Sequence, residues 1–546
     1  MREHAVRSAI VGALCRVVKM KPEQAAALHD PHSDFLLSDL AIDSLDALEL
    51  CMEIETIVGV ELDPAELVAL DTVSELVGLV VSKDRAAGAT IVRASRDQPV
   101  PLSLAQESIW AICQNRLEHS GYVLSMIDKI EGPLDIAMLA DCLTSLISRH
   151  EILRTTFPFL DGRPIQMVHP VEKVALPVFS VANDEDPEQT ARRIIRHERL
   201  SICDFTNGPL VKFAVMRISA QEHLLIRSIH HMVWDGWSGK LFLDELSSLY
   251  EAAHFGKPAI LPEMKLQYAD YAAWQRSGFD PAGQTYHDAV AWWAAYLESV
   301  RSPIDLPFKR PELLAGVDPD AGRLVRSIEP GLMDRLNELR REGGTTLYRI
   351  WLAGFVAVLW LETHCSNRII GSFVTGRRHW QLRNMIGDFS NTVALKLECD
   401  VAISFKELIS QVDTTVTEAE SYSEIPFDKL SAELEKRNTV TPPINVIFAA
   451  PLDNRLGERR FANLTISRYG SQGPLHMPWG CTLQLREQDG NYRCVMDFDA
   501  GLYDPSLVEM FMDHLYEFLD AVSRNPDLTV GEFRRVTRGP IDGLTD

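Results

Sequence analysis

Apolar side chains in the first 84 residues recur every three or four positions, the period of an amphipathic helix. Arg2 to Val18 is one such segment, Asp46 to Val58 a second and Thr72 to Ser82 a third; Pro64 suits the first turn of a short helix between the last two. On a helical wheel Leu50, Ile54 and Ile57 share one stripe, and Leu45, Leu48 and Met52 a second. Asp46, Glu49 and Glu53 fill the sector between part of them. One stripe can face a small bundle core, and the other, rimmed by acid, can meet a partner. Farther along, short strand-like runs alternate with helices. HLLIRSI (223–229) predicts a strand, and GKLFLDELSSLYEAAH (239–254) a helix with Phe242, Leu246, Leu249 and Tyr250 on one face. The alternation predicts a mixed α/β fold. The most apolar segment, Ile350 to Leu361, is well short of the roughly 18–20 residues that span a bilayer and predicts a buried helix.

Composition narrows the function classes. The 546 residues are 46% hydrophobic and 24% charged, which excludes disordered and low-complexity chains. The net charge is −23, and residues 1–84 alone, with 16 acidic and 6 basic side chains, carry −10. Such a chain lacks the basic face that nucleic acid requires, so no nucleic-acid partner is expected. The nine cysteines include no C-x-x-C, so neither a metal site nor a disulfide framework is expected, and a reduced, cytoplasmic setting fits. The N-terminal stretch reads poorly as a signal peptide, and no membrane partner is expected. These shifts divide the chain into an acidic helical unit over residues 1–84, a linker over 85–98 rich in Ala, Arg, Asp and Pro, and a large unit over 99–546.

Two segments carry chemistry. Ser44 stands at the start of the second helical segment. A serine there caps a helix, worth about 1 kcal/mol, and the same helix end favours a phosphate. The other segment is HHMVWDG, His230 to Gly236, between the expected strand and helix. From the chain's own His and Gly frequencies, about 0.03 strings of the form H-H-x-x-x-x-G are expected, so accident is a weak explanation. An imidazole with an ordinary pKa near 6.5 can accept or relay a proton at neutral pH. Asp235 can organise the loop, and Gly236 at the helix start offers a backbone N–H for an oxyanion.

The stretch L-x-x-D-S-L-x-x-x-E, ending at Glu49, resembles the acyl and peptidyl carrier family over roughly residues 5–82. The resemblance implies that Ser44 is esterified with 4′-phosphopantetheine by a phosphopantetheinyl transferase, and that acyl groups ride on the terminal thiol. Ala41-Ile42 stand where peptide-synthetase carriers more often have Gly-Gly, closer to acyl carriers of fatty-acid and polyketide type.

The motif H-H-x-x-x-D-G resembles the condensation domain of nonribosomal peptide synthetases, in the chloramphenicol-acetyltransferase-like superfamily. PLSLAQESIW (101–110), RHEILRTTF (149–157), YADYAAW (268–274), GSFVTGRRH (371–379) with IGDFSNTV (386–393), and YSEIPFDKL (422–430) follow in the family's order. The resemblance implies an all-α four-helix carrier bundle, then a two-lobed condensation domain with an N-lobe over about 99–275 and a C-lobe over about 276–546. It implies that His231 is catalytic, as base or as a positioning group for the nucleophile. Asp235 is then a structural residue paired with Arg377, or with the adjacent Arg378; Gly236 takes the backbone role and His230 is structural. Trp274 and Tyr271 are expected to pack the lobes, and Arg149 and Arg154 to hold secondary structure.

The implied activity is acyl transfer from the phosphopantetheine thioester to an amine or hydroxyl, giving an amide or an ester. Partners would be upstream loading or synthetase enzymes, and an acceptor that is free or held on another carrier. A catalytically silent recruitment module is the alternative, and an epimerase-type relative ranks third. Two features depart from the family pattern. NRLGERRFANL (454–464) matches the late R-x-x-x-R-N-P element poorly, and Trp234 stands where a small residue is common, which predicts a narrowed space beside His231.

Overall fold

The N-terminal unit is built on three helices, α1 (Arg2–Val17), α2 (Ser44–Val58) and α3 (Val73–Lys83). The computed structural model describes residues 2–18, 28, 35–40, 42, 44–58, 62, 67, 70, 72–83, 91–115, 119–181, 186–199, 202–279, 281, 283–300, 303–310, 321–364, 367–377, 379–437, 443–449, 458–469, 479–488 and 491–533. Val6, Ile10 and Leu14 of α1, Leu50 and Ile54 of α2, and Leu76, Val77 and Val80 of α3 close one core. This is the first stripe expected of α2, except that Ile57, near the helix end, lies outside that core and is 47% exposed. Before α3, the Thr72 hydroxyl accepts from Glu75 N–H while the Glu75 carboxylate accepts from Thr72 N–H, each at 3.2 Å, a reciprocal cap. The short helix expected at Pro64 falls outside the described residues.

The large unit contains two six-stranded sheets. In the first the spatial order is Arg459–Phe461, Leu464–Arg468, Val123–Glu131, Glu222–His230, Val211–Arg217 and Val178–Ser180. All its pairings are antiparallel except the last. In the second the order is Asn391–Glu398, Asn367–Val374, Val446–Ala449, Cys481–Gln488, Asn491–Phe498 and Gly322–Ser327, with Val446–Ala449 parallel to both neighbours. One crossing stands out. Residues 459–468, late in the chain, extend the first sheet by pairing Thr465 with Glu131 and Arg468 with Asp128. Space therefore does not divide the lobes at a single point in sequence.

Five further helices matter to the site: α4 (Leu104–Asn115), α5 (Gly236–His254), α6 (Tyr268–Gly278), α7 (Pro330–Gly343) and α8 (Leu347–Thr363). Every residue from Ile350 to Leu361 of α8 is buried, as its unbroken apolar run predicts. Each large apolar side chain so removed from water is worth about 1.5–3 kcal/mol. The first lobe's core includes Phe242, Leu246 and Tyr250 of α5, and also Leu382, Met385, Ile386 and Phe389, which follow the second sheet's strand Asn367–Val374. That loop stitches the lobes together. Among the described residues, no single helix is long and apolar enough to cross a membrane.

Candidate active site

The strand Glu222–His230 ends at the histidine pair, and the chain turns through a 3-10 turn, His231–Val233, into α5. His230 is fully buried; its Nδ1 accepts from Met232 N–H at 3.1 Å, and its ring lies edge-on to Phe205, a structural placement. The His231 side chain keeps 28% of its surface open. Its Nδ1 is buried, so the open edge is the far side of the ring, where Nε2 sits. Trp234 does not crowd this space. It is 1% exposed and packs edge-on against Phe242 at 5.5 Å, because extended backbone at Trp234 sends the indole into the first-lobe core.

Asp235 caps α5. Its carboxylate accepts from Ser238 N–H at 2.8 Å and Ser238 Oγ at 2.7 Å. Arg377 meets the same carboxylate with two parallel bonds, Nε to Oδ2 at 3.0 Å and Nη2 to Oδ1 at 2.9 Å. Its Nη1 donates to the carbonyls of Leu382 and Met385, each at 2.8 Å, and the guanidinium lies 4.0 Å from the Phe389 ring centre. Both side chains are buried, so this is a neutralised pair and not a second base. Arg378 is outside the described residues. Gly236 is the first residue of α5, so its N–H is among those a helix leaves without an intrahelical acceptor.

Sequence reasoning missed Asp388. Its carboxylate is 1% exposed and lies 3.5 Å from His231 Nδ1, an ion-pair distance rather than a short hydrogen bond. Ser390 N–H and Oγ donate to Asp388 Oδ1 at 3.1 and 2.6 Å. The Tyr268 hydroxyl donates to the Asp388 carbonyl and meets Ser103 Oγ at 2.8 Å. Burial presses His231 toward its neutral form. Asp388, with smaller contributions from Asp235 and from the ring's own backbone carbonyl, more than offsets this and lifts the imidazole pKa above its ordinary value. The available signal was a carboxylate within IGDFSNTV, directly after its glycine. Gly387 is fixed by space: at φ +157° a Cβ there would overlap the Tyr268 ring.

Tyr271 is buried with its ring 4.7 Å from Phe389 across the lobes, and Trp274 is half-buried beside it at 6.2 Å. Arg149 pairs with Glu245 at 3.0 Å and Arg154 donates to the His169 carbonyl, both scaffold contacts. Among the described residues, no group of three or more His, Cys, Asp or Glu is placed to hold a metal ion.

Ser44 is the first residue of α2. The second stripe of that helix does meet a partner, within the same chain: Leu48 and Met52 form a cluster with Trp237 of α5. At its rim Lys240 Nζ lies 3.4 Å from Glu49, and Arg383 pairs with Glu53, which also meets Arg16 of α1 at 2.6 Å. Arg340 of α7 donates to the Ile42 carbonyl at 2.9 Å. Ser44 is one turn before Leu48, about 6 Å along the axis.

Residues 8–80 match the family described as "Phosphopantetheine attachment site", and residues 96–539 the one described as "Condensation domain". Tyrocidine synthase 3 of Brevibacillus parabrevis is 28% identical over 509 residues, covering 93% of this chain and 8% of that protein. Phosphinothricin tripeptide synthetase PhsB of Streptomyces viridochromogenes is 31% identical over 488 residues, covering 85% of this chain and 40% of that protein. The chain thus spans less than half the length of either relative. Among solved structures, the X-domain from teicoplanin biosynthesis superposes with a TM-score of 0.70 at 22% identity, covering 81% of this chain and 99% of that one. The first condensation domain of the calcium-dependent antibiotic synthetase, solved with a substrate analogue, gives 0.67 at 22% identity, covering 80% and 99%.

Proposed function

The chain belongs to the condensation-domain family, with a phosphopantetheine attachment domain ahead of it, and on that footing we propose that it transfers an acyl or peptidyl group from its own carrier to an amine or hydroxyl. One observation carries the reading. The helix that begins with Ser44 is seated on the first turns of α5, the helix whose cap follows the His231 loop. The N-terminus of α2 fits a phosphodiester, since its first N–H groups have no intrahelical acceptor and its dipole favours an anion. When bound, the phosphopantetheine arm supplies a thiol that holds the acyl donor as a thioester.

The chain's own residues do the rest. His231 Nε2 takes the proton from the acceptor nitrogen or oxygen as the new bond to the acyl carbon forms, and the leaving sulfur receives it as the carbon–sulfur bond breaks. Gly236 N–H stands where helix polarity favours the oxygen that gains charge between those events. Asp235 and Arg377 hold the loop that positions both groups.

The test loads Ser44 with an acyl-pantetheine by a broad-specificity phosphopantetheinyl transferase. A panel of amines and hydroxyls follows, free and carrier-bound, with products read by intact mass. His231→Ala should lower the single-turnover rate about 10²–10⁴-fold while loading is unchanged. The likeness to the X-domain, which has also been solved in complex with OxyB, supports a second reading as a recruitment module. Turnover that survives His231→Ala undiminished would select that reading.

A further inference from the structure

We propose that Asp388 is a positioning residue for His231, fixing the imidazole with its proton on Nδ1 so that Nε2 is the atom left to accept one. This rests on the reading of His231 as the proton acceptor. The geometry supports it from three sides. The Nδ1 edge of the ring is the buried edge, and it lies 3.5 Å from Asp388 Oδ1. The carboxylate is itself held, by Ser390 N–H and Oγ on Oδ1 and by Tyr268 on the adjoining carbonyl. Gly387 makes room for the Tyr268 ring that does this holding.

The other carboxylate near the ring is already occupied. Asp235 is neutralised by Arg377 and capped by Ser238, so its charge reaches His231 only weakly. No arginine or lysine is paired with Asp388 among the described residues; its partners are the two Ser390 donors and the imidazole. The remaining ionisable neighbours, Tyr268 and Tyr271 of α6, stay protonated, because burial and the nearby Asp388 charge both push them up. When His231 takes a proton on Nε2, the resulting cation finds an anion already in place and no rearrangement is needed.

The sign follows. Asp388 favours the charged ring, so its stabilising effect is fully present below the ordinary histidine pKa of about 6.5 and fades as pH rises through the elevated folded value. As a base His231 must be neutral, so the acidic limb of the rate profile should lie above that of an ordinary histidine. Asp388→Asn should move it to lower pH.

The experiment is imidazole 15N NMR on the full chain with labelled histidine, His231 being identified by its loss in His231→Gln. In the wild type, His231 should titrate above an ordinary histidine and, once neutral, keep its proton on Nδ1. In Asp388→Asn, which keeps the acceptor for Ser390, the midpoint should fall and the Nδ1–H preference should weaken. A neutral wild-type ring with its proton on Nε2 overturns the proposal even if the variant does not fold. An unchanged midpoint and tautomer in a folded Asp388→Asn overturns it as well. Neither readout depends on finding the substrate, so failure here is distinct from failure of the acyl-transfer reading.

Discussion

Two charged contacts meet α5 within its first two turns, and water separates their roles. At the cap, Asp235 and Arg377 are 2% and 0% exposed and joined by two bonds, with the guanidinium's other donors taken by two carbonyls. Five residues on, Lys240 and Glu49 are 29% and 12% exposed and 3.4 Å apart, at the edge of a small apolar patch. A dry, saturated pair cannot be exchanged without stranding a charge, so it serves as scaffold. A rim pair forms and breaks at little cost, so this seat can be left and regained where the dry pair cannot.

The inner contact yields the largest expected effect. Arg377→Ala strands the Asp235 carboxylate and should cost about 3–5 kcal/mol in denaturant unfolding of the large unit. The double variant Arg377→Met with Asp235→Leu should cost markedly less, because neither half of the pair is then left buried and charged. A loss below about 1 kcal/mol in the single variant would mean that the pair does not hold the loop.

Much of this was legible locally. Period-3.6 spacing marked α2, α3 and α5, an unbroken apolar run marked the buried α8, and the acid-rimmed stripe of α2 was readable as a surface for a partner. The partner itself was not, since Trp237, Lys240 and Arg383 are brought to Leu48, Glu49 and Glu53 only by folding. The pairing of 464–468 with 123–131 is equally invisible to local periodicity, because it joins segments more than 300 residues apart. Trp234 was misplaced for a related reason. Sequence puts it three residues from His231, but an extended residue at the end of a turn sends its side chain into the core. Asp388 was hidden because nothing near it in sequence indicates which ring nitrogen it will face.

The inner contact can also be loosened without touching a charge. Gly387 N–H donates to Ser238 Oγ at 3.1 Å, so the Gly387 backbone is tied to the Asp235 cap. Gly387→Ala would press a methyl group into Tyr268 and force an unfavourable φ. Overpacking of this kind costs about 1–3 kcal/mol, so a smaller loss than in Arg377→Ala is expected. The Tyr268 bond to the Asp388 carbonyl should weaken with it, visible as faster exchange of nearby amides. A thermal midpoint equal to the wild type would show that the loop has slack the packing does not suggest.

The smallest effect belongs to the rim, and there stability is the wrong readout. Lys240→Glu sets a carboxylate against Glu49 at a site open to water, and unfolding should change by no more than about 1 kcal/mol. Seating is more sensitive, because the apolar patch is only three side chains, Leu48, Met52 and Trp237, and the charges guide which face of α2 meets it. In the full chain, 15N relaxation of α2 amides should show the N-terminal unit tumbling more independently in Lys240→Glu. Adding Glu49→Lys should bring the correlation time back toward the wild type, whereas Glu49→Lys alone, opposing Lys240, should loosen the seat as Lys240→Glu does. Coupling between the two changes, near 0.2–1 kcal/mol, is the quantity that identifies this contact. If the two variants simply add, Lys240 and Glu49 are neighbours without an interaction, and the seat depends on the indole and the Arg383–Glu53 pair.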